Sequence, residues 1–209
     1  MDAHSWDERY AASELVWSAT PNRFVAGALA DLPPGRAVDL AAGEGRNALW
    51  LASLGWEVTA VDFSAAGIEK GRELESGRPP ERPVRWVCAD VLTWSADEPV
   101  DLVVVAYLQL RSEQRREAVR RGFAALRPGG TFFLVAHDTT NLTEGTGGPQ
   151  DASVLMTADD VLGDLADQAF RTVRAERVAR EVPAAPAETG HGDAPSATAW
   201  DCLVHLVRD

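Results

Sequence analysis

Val38-Asp39-Leu40-Ala41-Ala42-Gly43-Glu44-Gly45-Arg46-Asn47-Ala48 reads as the end of a strand, a glycine turn and the start of a helix. Small residues at such a turn let the main chain approach a ligand, and the amides that open a helix point toward it. A cofactor of small-molecule size fits there. The spacing also satisfies the dinucleotide pattern G-x-G-x-x-G/A through Gly43, Gly45 and Ala48, so a nicotinamide-dependent oxidoreductase has to be weighed. A tight turn with no ligand is the third possibility.

On both sides of this turn, short apolar runs alternate with segments of helical period, the pattern of an α/β domain with a mostly parallel sheet. Strands are expected at 37–41, 57–61, 84–89, 100–106 and 132–137, and later at 170–182 and 199–207. The helices between them have recognisable ends. One stops at Gly55, Ser64 caps a second through Leu74, and Ser112 caps a third that ends at Pro128-Gly129-Gly130. Ahead of the first strand, Thr20-Pro21 reads as an N-cap followed by proline at the first helical position, and Thr157 with Asp160 opens the last helix. Residues 139–150 lack periodicity and read as a polar loop that can move. The fold class expected is a single doubly wound, Rossmann-like α/β domain over 1–209. It has a helical cap at 1–33, a core at 36–137, a loop at 138–156, and a helix and strand pair at 157–209.

Composition excludes several functions. The 32 acids against 20 bases give a formal charge of −12, which repels a phosphate backbone, so nucleic-acid binding is disfavoured. Only Lys70 is a lysine, which removes a catalytic lysine from almost every position. Cys88 and Cys202 show no metal-ligand spacing and sit in apolar surroundings expected of buried thiols, so neither a disulfide nor a metal site is expected. No run of about 18 apolar residues occurs, and the first ten residues carry no apolar stretch. A cytoplasmic protein with no membrane partner is the expectation.

Three acids choose among the ligands. Asp39, Asp62 and Asp90 end the first three strands, and in an open parallel sheet the ligand crevice lies outside those ends. Carboxylates converging there would repel a pyrophosphate and attract a cation. Asp62 can accept from both hydroxyls of a ribose. A phosphate-free nucleoside carrying an amino group and a sulfonium suits this arrangement better than a nicotinamide dinucleotide.

With these residues in place, the chain resembles the class I S-adenosylmethionine-dependent methyltransferases, from about Val38 to His137. The family's glycine motif appears as Asp39 to Gly45, with Ala41 in place of the first glycine. The resemblance implies S-adenosylmethionine as cofactor, S-adenosylhomocysteine as product, and a small-molecule acceptor. It assigns the ribose to Asp62 and the adenine amino group to Asp90, with the Val91 amide on a ring nitrogen. Ala106 and Tyr107 flank the methionine end, and Asp39, Leu40, Ala41, Ala42, Gly43, Gly45, Asn47, Phe63 and Tyr10 complete the cofactor set. The last strand pair would include one antiparallel insertion. More narrowly, residues 43–52 and 55–62, with Trp6-Asp7-Glu8-Arg9-Tyr10 as a cap over the cofactor, are similar to the tellurite-resistance and thiopurine-methyltransferase-like branch that acts on small molecules.

Methyl transfer is an in-line displacement, so the protein's share is positioning, desolvation and, for a protonated acceptor, removal of a proton. His137, at the end of the fifth strand, is a candidate general base or else a histidine hydrogen-bonded at a strand end. His191 occupies the place where the branch has a substrate-side histidine. Tyr107 follows a buried strand and is a candidate contact of the reacting groups. Tyr10 and Trp17 can close over the ligand or pack a helix. His205 is expected to be packed, and the Arg-rich stretch 111–127 to be a solvated helix face. A non-catalytic nucleoside-binding domain also fits these residues.

Overall fold

Val100–Ala106 (β4) lies at the centre of a seven-stranded sheet, with Leu102 and Val104 turned to one face and Val103 and Val105 to the other. This computed structural model describes residues 3–12, 20–182 and 197–209. The chain enters through helix α1 (Ala3–Ala11) and helix α2 (Arg23–Leu29), then strand β1 (Arg36–Leu40) and helix α3 (Arg46–Ser53). Next come β2 (Glu57–Asp62), α4 (Ala65–Gly77), β3 (Arg85–Cys88), the central β4, α5 (Ser112–Ala124) and β5 (Leu126–His137). The short helix α6 (Asn141–Glu144), helix α7 (Ala158–Asp164) and the long strands β6 (Phe170–Val182) and β7 (Ala197–Arg208) complete it.

The sheet order is β3-β2-β1-β4-β5-β7-β6, parallel except for β7, which pairs antiparallel with both β5 and β6. A dinucleotide-binding sheet runs 3-2-1-4-5-6; β7 inserted against the strand direction distinguishes this fold from it. Two apolar layers follow from the alternation of side chains along each strand. Val25, Leu29, Ala48, Leu51 and Trp56 cover one face, whereas Ala118, Val119, Phe123, Val161 and Leu165 cover the other. Among the described residues no helix is long and apolar enough to cross a membrane.

Several local expectations are corrected. The Asn22 side chain, not Thr20, caps α2 by accepting from Phe24 N (2.9 Å) and Val25 N (3.3 Å), so Pro21 lies outside the helix. Asparagine caps as well as threonine, and here it satisfies two otherwise unpaired amides. Ser112 is the first helical residue of α5 rather than its cap, and α5 ends at Ala124, ahead of Pro128-Gly129-Gly130. Those residues form a bulge inside β5, where the ladder jumps from Val100 opposite Leu126 to Leu102 opposite Thr131 and Gly129 has φ +77°. Cys88 is exposed, because β3 is an edge strand, whereas Cys202 on the inner strand β7 is buried. The loop at 139–150 contains the single turn of α6.

The Arg-rich stretch is a largely exposed helix face, as expected, except at Arg115, which α7 covers. Arg115 on α5 is buried and forks onto Asp164 of α7, with Nε–Oδ2 at 2.7 Å, while Arg116 and Arg120 bond the same residue's carboxylate and carbonyl. Asp160 closes a capping box with Thr157 as expected.

Candidate active site

The turn after β1 is built by hydrogen bonds that use up its own amides. Ala42 N donates to Val61 O, Gly43 N to Asp62 Oδ2 at 2.8 Å, and Gly45 N to Ala42 O. Ala48 N, in the first turn of α3, donates to Asp39 Oδ2 at 3.1 Å. None of these four amides is left to cradle a diphosphate, and the carboxylate of Asp39 sits where an anion would otherwise meet the helix start. Asp39 therefore lies under the turn, fully buried, and does not line the cavity as expected; burial pushes its carboxyl up to about 7. Leu40 is likewise in the core.

Gly45 does not line the cavity either. Its φ of +76° favours glycine, and a Cβ there would stand 2.2 Å from the ring of Trp86, so the absence of a side chain seats the tryptophan. A Cβ on Gly71 would stand 2.3 Å from the same ring. Ala41, by contrast, adopts φ +58° with a side chain present, a left-handed conformation that usually calls for glycine.

A cavity of about 850 Å³, its open mouth included, lies beyond the carboxyl ends of β1, β2 and β4. Ala41, Ala42, Gly43 and Asn47 form its floor, Asp62, Phe63, Asp90 and Val91 one wall, and Ala106 and Tyr107 the other. These ten are all nominated from the sequence, as is Tyr10, which also lines the cavity; the nominated Asp39, Leu40 and Gly45 do not, and Trp6, Arg46, Leu108, Gln109 and Leu110 join the lining. Asp62 is buried, and its two oxygens each hold one main-chain amide, Gly43 N and Ser64 N, both at 2.8 Å. Desolvation raises its pKa despite those bonds. Each oxygen keeps acceptor capacity for a hydroxyl. Asp90 is exposed and accepts only from Leu92 N, at 2.9 Å. The wall thus offers carboxylate acceptors beside the apolar Phe63, Val91 and Leu110, a set that fits a ribose and an adenine with no phosphate.

Helix α1 is fastened over this cavity. Asp7 accepts from the Ser64 hydroxyl at 2.5 Å and from Ala66 N at 3.1 Å, contacts that hold its carboxyl below the usual range, and Lys70 donates to Tyr10 O. Tyr10 stacks on Trp6 with ring centroids 5.5 Å apart. Trp17 and His191 lie outside the described residues.

Arg46, Tyr107 and Gln109 also border a second, wider cavity of about 1540 Å³, again counting its mouth. Tyr107 stands between the two in a left-handed conformation, φ +59°. Its hydroxyl donates to Asp201 Oδ2 at 2.8 Å, and burial with this carboxylate nearby pushes the phenol up, out of reach of a base. Asp201 is fully buried on β7 and also receives Arg180 Nε at 2.6 Å. Desolvation works against the charge on Asp201, but the hydrogen bonds from Arg180 and Tyr107 and the neighbouring His137 ring keep its carboxyl below the ordinary range. His137 faces the second cavity, its ring centroid 4.7 Å from that of Tyr107 and Nδ1 3.3 Å from Asp201 Oδ1. Asp201 and Arg180 escaped sequence reasoning. The usable signal was an acid within the otherwise apolar run Trp200-Asp201-Cys202-Leu203-Val204. His205 packs edge-on against Phe133, and burial lowers its pKa; Arg111 lines neither cavity.

Residues 37–130 match the family described as a methyltransferase domain. Thiocyanate methyltransferase 1 of Brassica oleracea is 28% identical over 133 residues, which are 63% of this chain and 58% of that enzyme, so the chain spans less than two thirds of that relative. Among solved structures, TehB from Haemophilus influenzae superposes with a TM-score of 0.70 at 18% identity, over 90% of this chain and 63% of that one. The N-methyltransferase NodS from Bradyrhizobium japonicum WM9, in complex with S-adenosylhomocysteine, gives 0.70 at 18% identity over 100% and 99%. Together with the glycine turn and the inserted antiparallel strand, these matches lead to one conclusion: residues 37–130 are similar to a methyltransferase domain, and the chain shares its fold with TehB and NodS.

Proposed function

We propose that this chain transfers a methyl group from S-adenosylmethionine to a small-molecule acceptor, with the cofactor in the cavity over the glycine turn and the acceptor in the cavity beyond Tyr107. The observation that carries this reading is the Gly43 amide engaged by Asp62 at 2.8 Å, which leaves the turn shaped for a nucleoside and closed to a diphosphate. When bound, the cofactor supplies a methyl group already activated on a sulfonium. Asp62 holds the ribose hydroxyls, Asp90 and the Val91 amide take the adenine edge, and Phe63 and Leu110 cover it. Tyr10 and Trp6 on α1 close the site from above and exclude water. The aromatic face of Tyr107 stands at the passage between the cavities, where it favours a neighbouring cation.

For an acceptor that carries a proton, His137 takes it up on the nitrogen not engaged with Asp201, and Asp201 orients the ring and balances the charge that appears. A thiolate or other ionised acceptor dispenses with that step. The calorimetric test is titration with S-adenosylmethionine and S-adenosylhomocysteine, for which dissociation constants in the micromolar range are expected. Heat from NADH and none from either sulfur ligand would reverse the assignment. Binding without methyl transfer to any of a broad panel of thiols, amines, phenols and acids would leave a nucleoside-binding protein.

A further inference from the structure

We infer that the acceptor is an organic anion, held by a carboxylate or phosphate on the arginine wall of the second cavity while a separate nucleophilic atom is presented toward Tyr107. This rests on the methyltransferase reading above and specifies its substrate class. In a chain of net charge −12, the second cavity collects Arg9, Arg23, Arg46 and Arg180, and no aspartate or glutamate lines it among the described residues. Asp201 lies behind Arg180 and pairs with it at 2.6 Å, whereas Arg23 is exposed at the cavity's edge. Arg46 borders both cavities and can serve the cofactor's own carboxylate; Arg9, Arg23 and Arg180 line only the second.

The two cavities thus have opposite character. The carboxylates Asp62 and Asp90 belong to the first and the arginines to the second, so a cationic amine would be attracted to the wrong end and repelled where it must react. Planar guanidinium forks match carboxylate and phosphate oxygens in geometry as well as charge. Size separates the anionic handle from the reacting atom. With the handle on Arg23 and the reacting atom at Tyr107, both of which line this cavity, the acceptor is a larger body than a triatomic anion such as thiocyanate. In the transfer, the acceptor atom's lone pair forms the bond to the methyl carbon as the carbon–sulfur bond breaks, leaving its electron pair on sulfur. A proton on the acceptor atom passes to His137 or to solvent.

The test is calorimetric titration of protein saturated with S-adenosylhomocysteine by benzoate, phenyl phosphate, benzamide and benzylamine at low ionic strength. The two anions should bind at least about tenfold more tightly than benzamide, benzylamine should give no heat, and added salt should weaken the anions selectively. Arg23→Gln, at an exposed position, should weaken them severalfold with S-adenosylhomocysteine affinity unchanged, and Arg180→Gln should do so more strongly. No heat from either anion up to about 10 mM, equal binding of benzamide, or indifference to both substitutions would overturn the inference. Absence of heat from S-adenosylhomocysteine itself would instead overturn the cofactor reading.

Discussion

Asp62→Ala should damage the protein twice, and the two losses can be measured apart. Each oxygen of Asp62 holds a buried main-chain amide at 2.8 Å, Gly43 N on one side and Ser64 N on the other. Stranding both costs about 1–3 kcal/mol apiece, so a loss of roughly 2–6 kcal/mol is expected, toward the lower end where water reaches the loosened turn. For a chain of this size that lowers the melting temperature by roughly 5–15 °C. The cofactor loses two charge-assisted hydrogen bonds to its ribose, which weakens binding by at least about tenfold and up to several hundredfold. Urea unfolding measures the first effect and calorimetry with S-adenosylhomocysteine at a temperature well below the transition measures the second. Asp90→Ala is the control: its carboxylate is exposed and holds one amide, so stability should change by less than about 1 kcal/mol while affinity falls about tenfold. An Asp62→Ala protein as stable as the parent, or one that binds S-adenosylhomocysteine within about threefold of it, would refute the double role.

Three further outcomes follow from the geometry. Asp164→Leu leaves the Arg115 guanidinium buried without its carboxylate and should cost about 3–5 kcal/mol in urea unfolding, whereas Arg115→Met with Asp164→Leu should recover most of it; a single variant no worse than the double would contradict this. Asp39 is raised to about 7 by burial, so the folded state binds a proton that the unfolded chain releases near pH 4, and stability on its account falls as pH rises from about 4 to about 7. Asp39→Asn, which can still accept from Ala48 N, should gain stability relative to the parent at pH 8 and little at pH 4; an equal difference at both values would count against it. Ala41→Gly removes a left-handed alanine and should raise stability by about 1 kcal/mol in thermal unfolding with cofactor affinity kept, and a loss of either would show that the strain is not there to relieve.

The cofactor half of the site was legible because its residues are local. A strand end, a glycine turn and an acid at the next strand end fall within 25 residues, and parallel topology brings Asp62 and Asp90 to one edge without further information. What stayed hidden depends on partners distant in sequence. Gly45 looks like a cofactor glycine until Trp86 arrives from β3 to fill the space beside it. Asp39 looks like a third cavity acid until the Ala48 amide turns it inward. The Arg-rich stretch reads as a solvated face throughout, because nothing within it says that α7 docks on α5 and covers Arg115. Asp201 gathers Tyr107, His137 and Arg180 from three other segments, and only the antiparallel insertion of β7 puts it there.

A crystal of the protein soaked with S-adenosylhomocysteine would place the ligand atom by atom. The ribose hydroxyls should lie on Asp62, the adenine against Asp90 and Val91, and the sulfur at the passage beside Tyr107, facing the arginine-lined cavity. Density for the nucleoside outside that hollow, or a nicotinamide diphosphate lying across Gly43 in a parallel soak, would contradict the assignment.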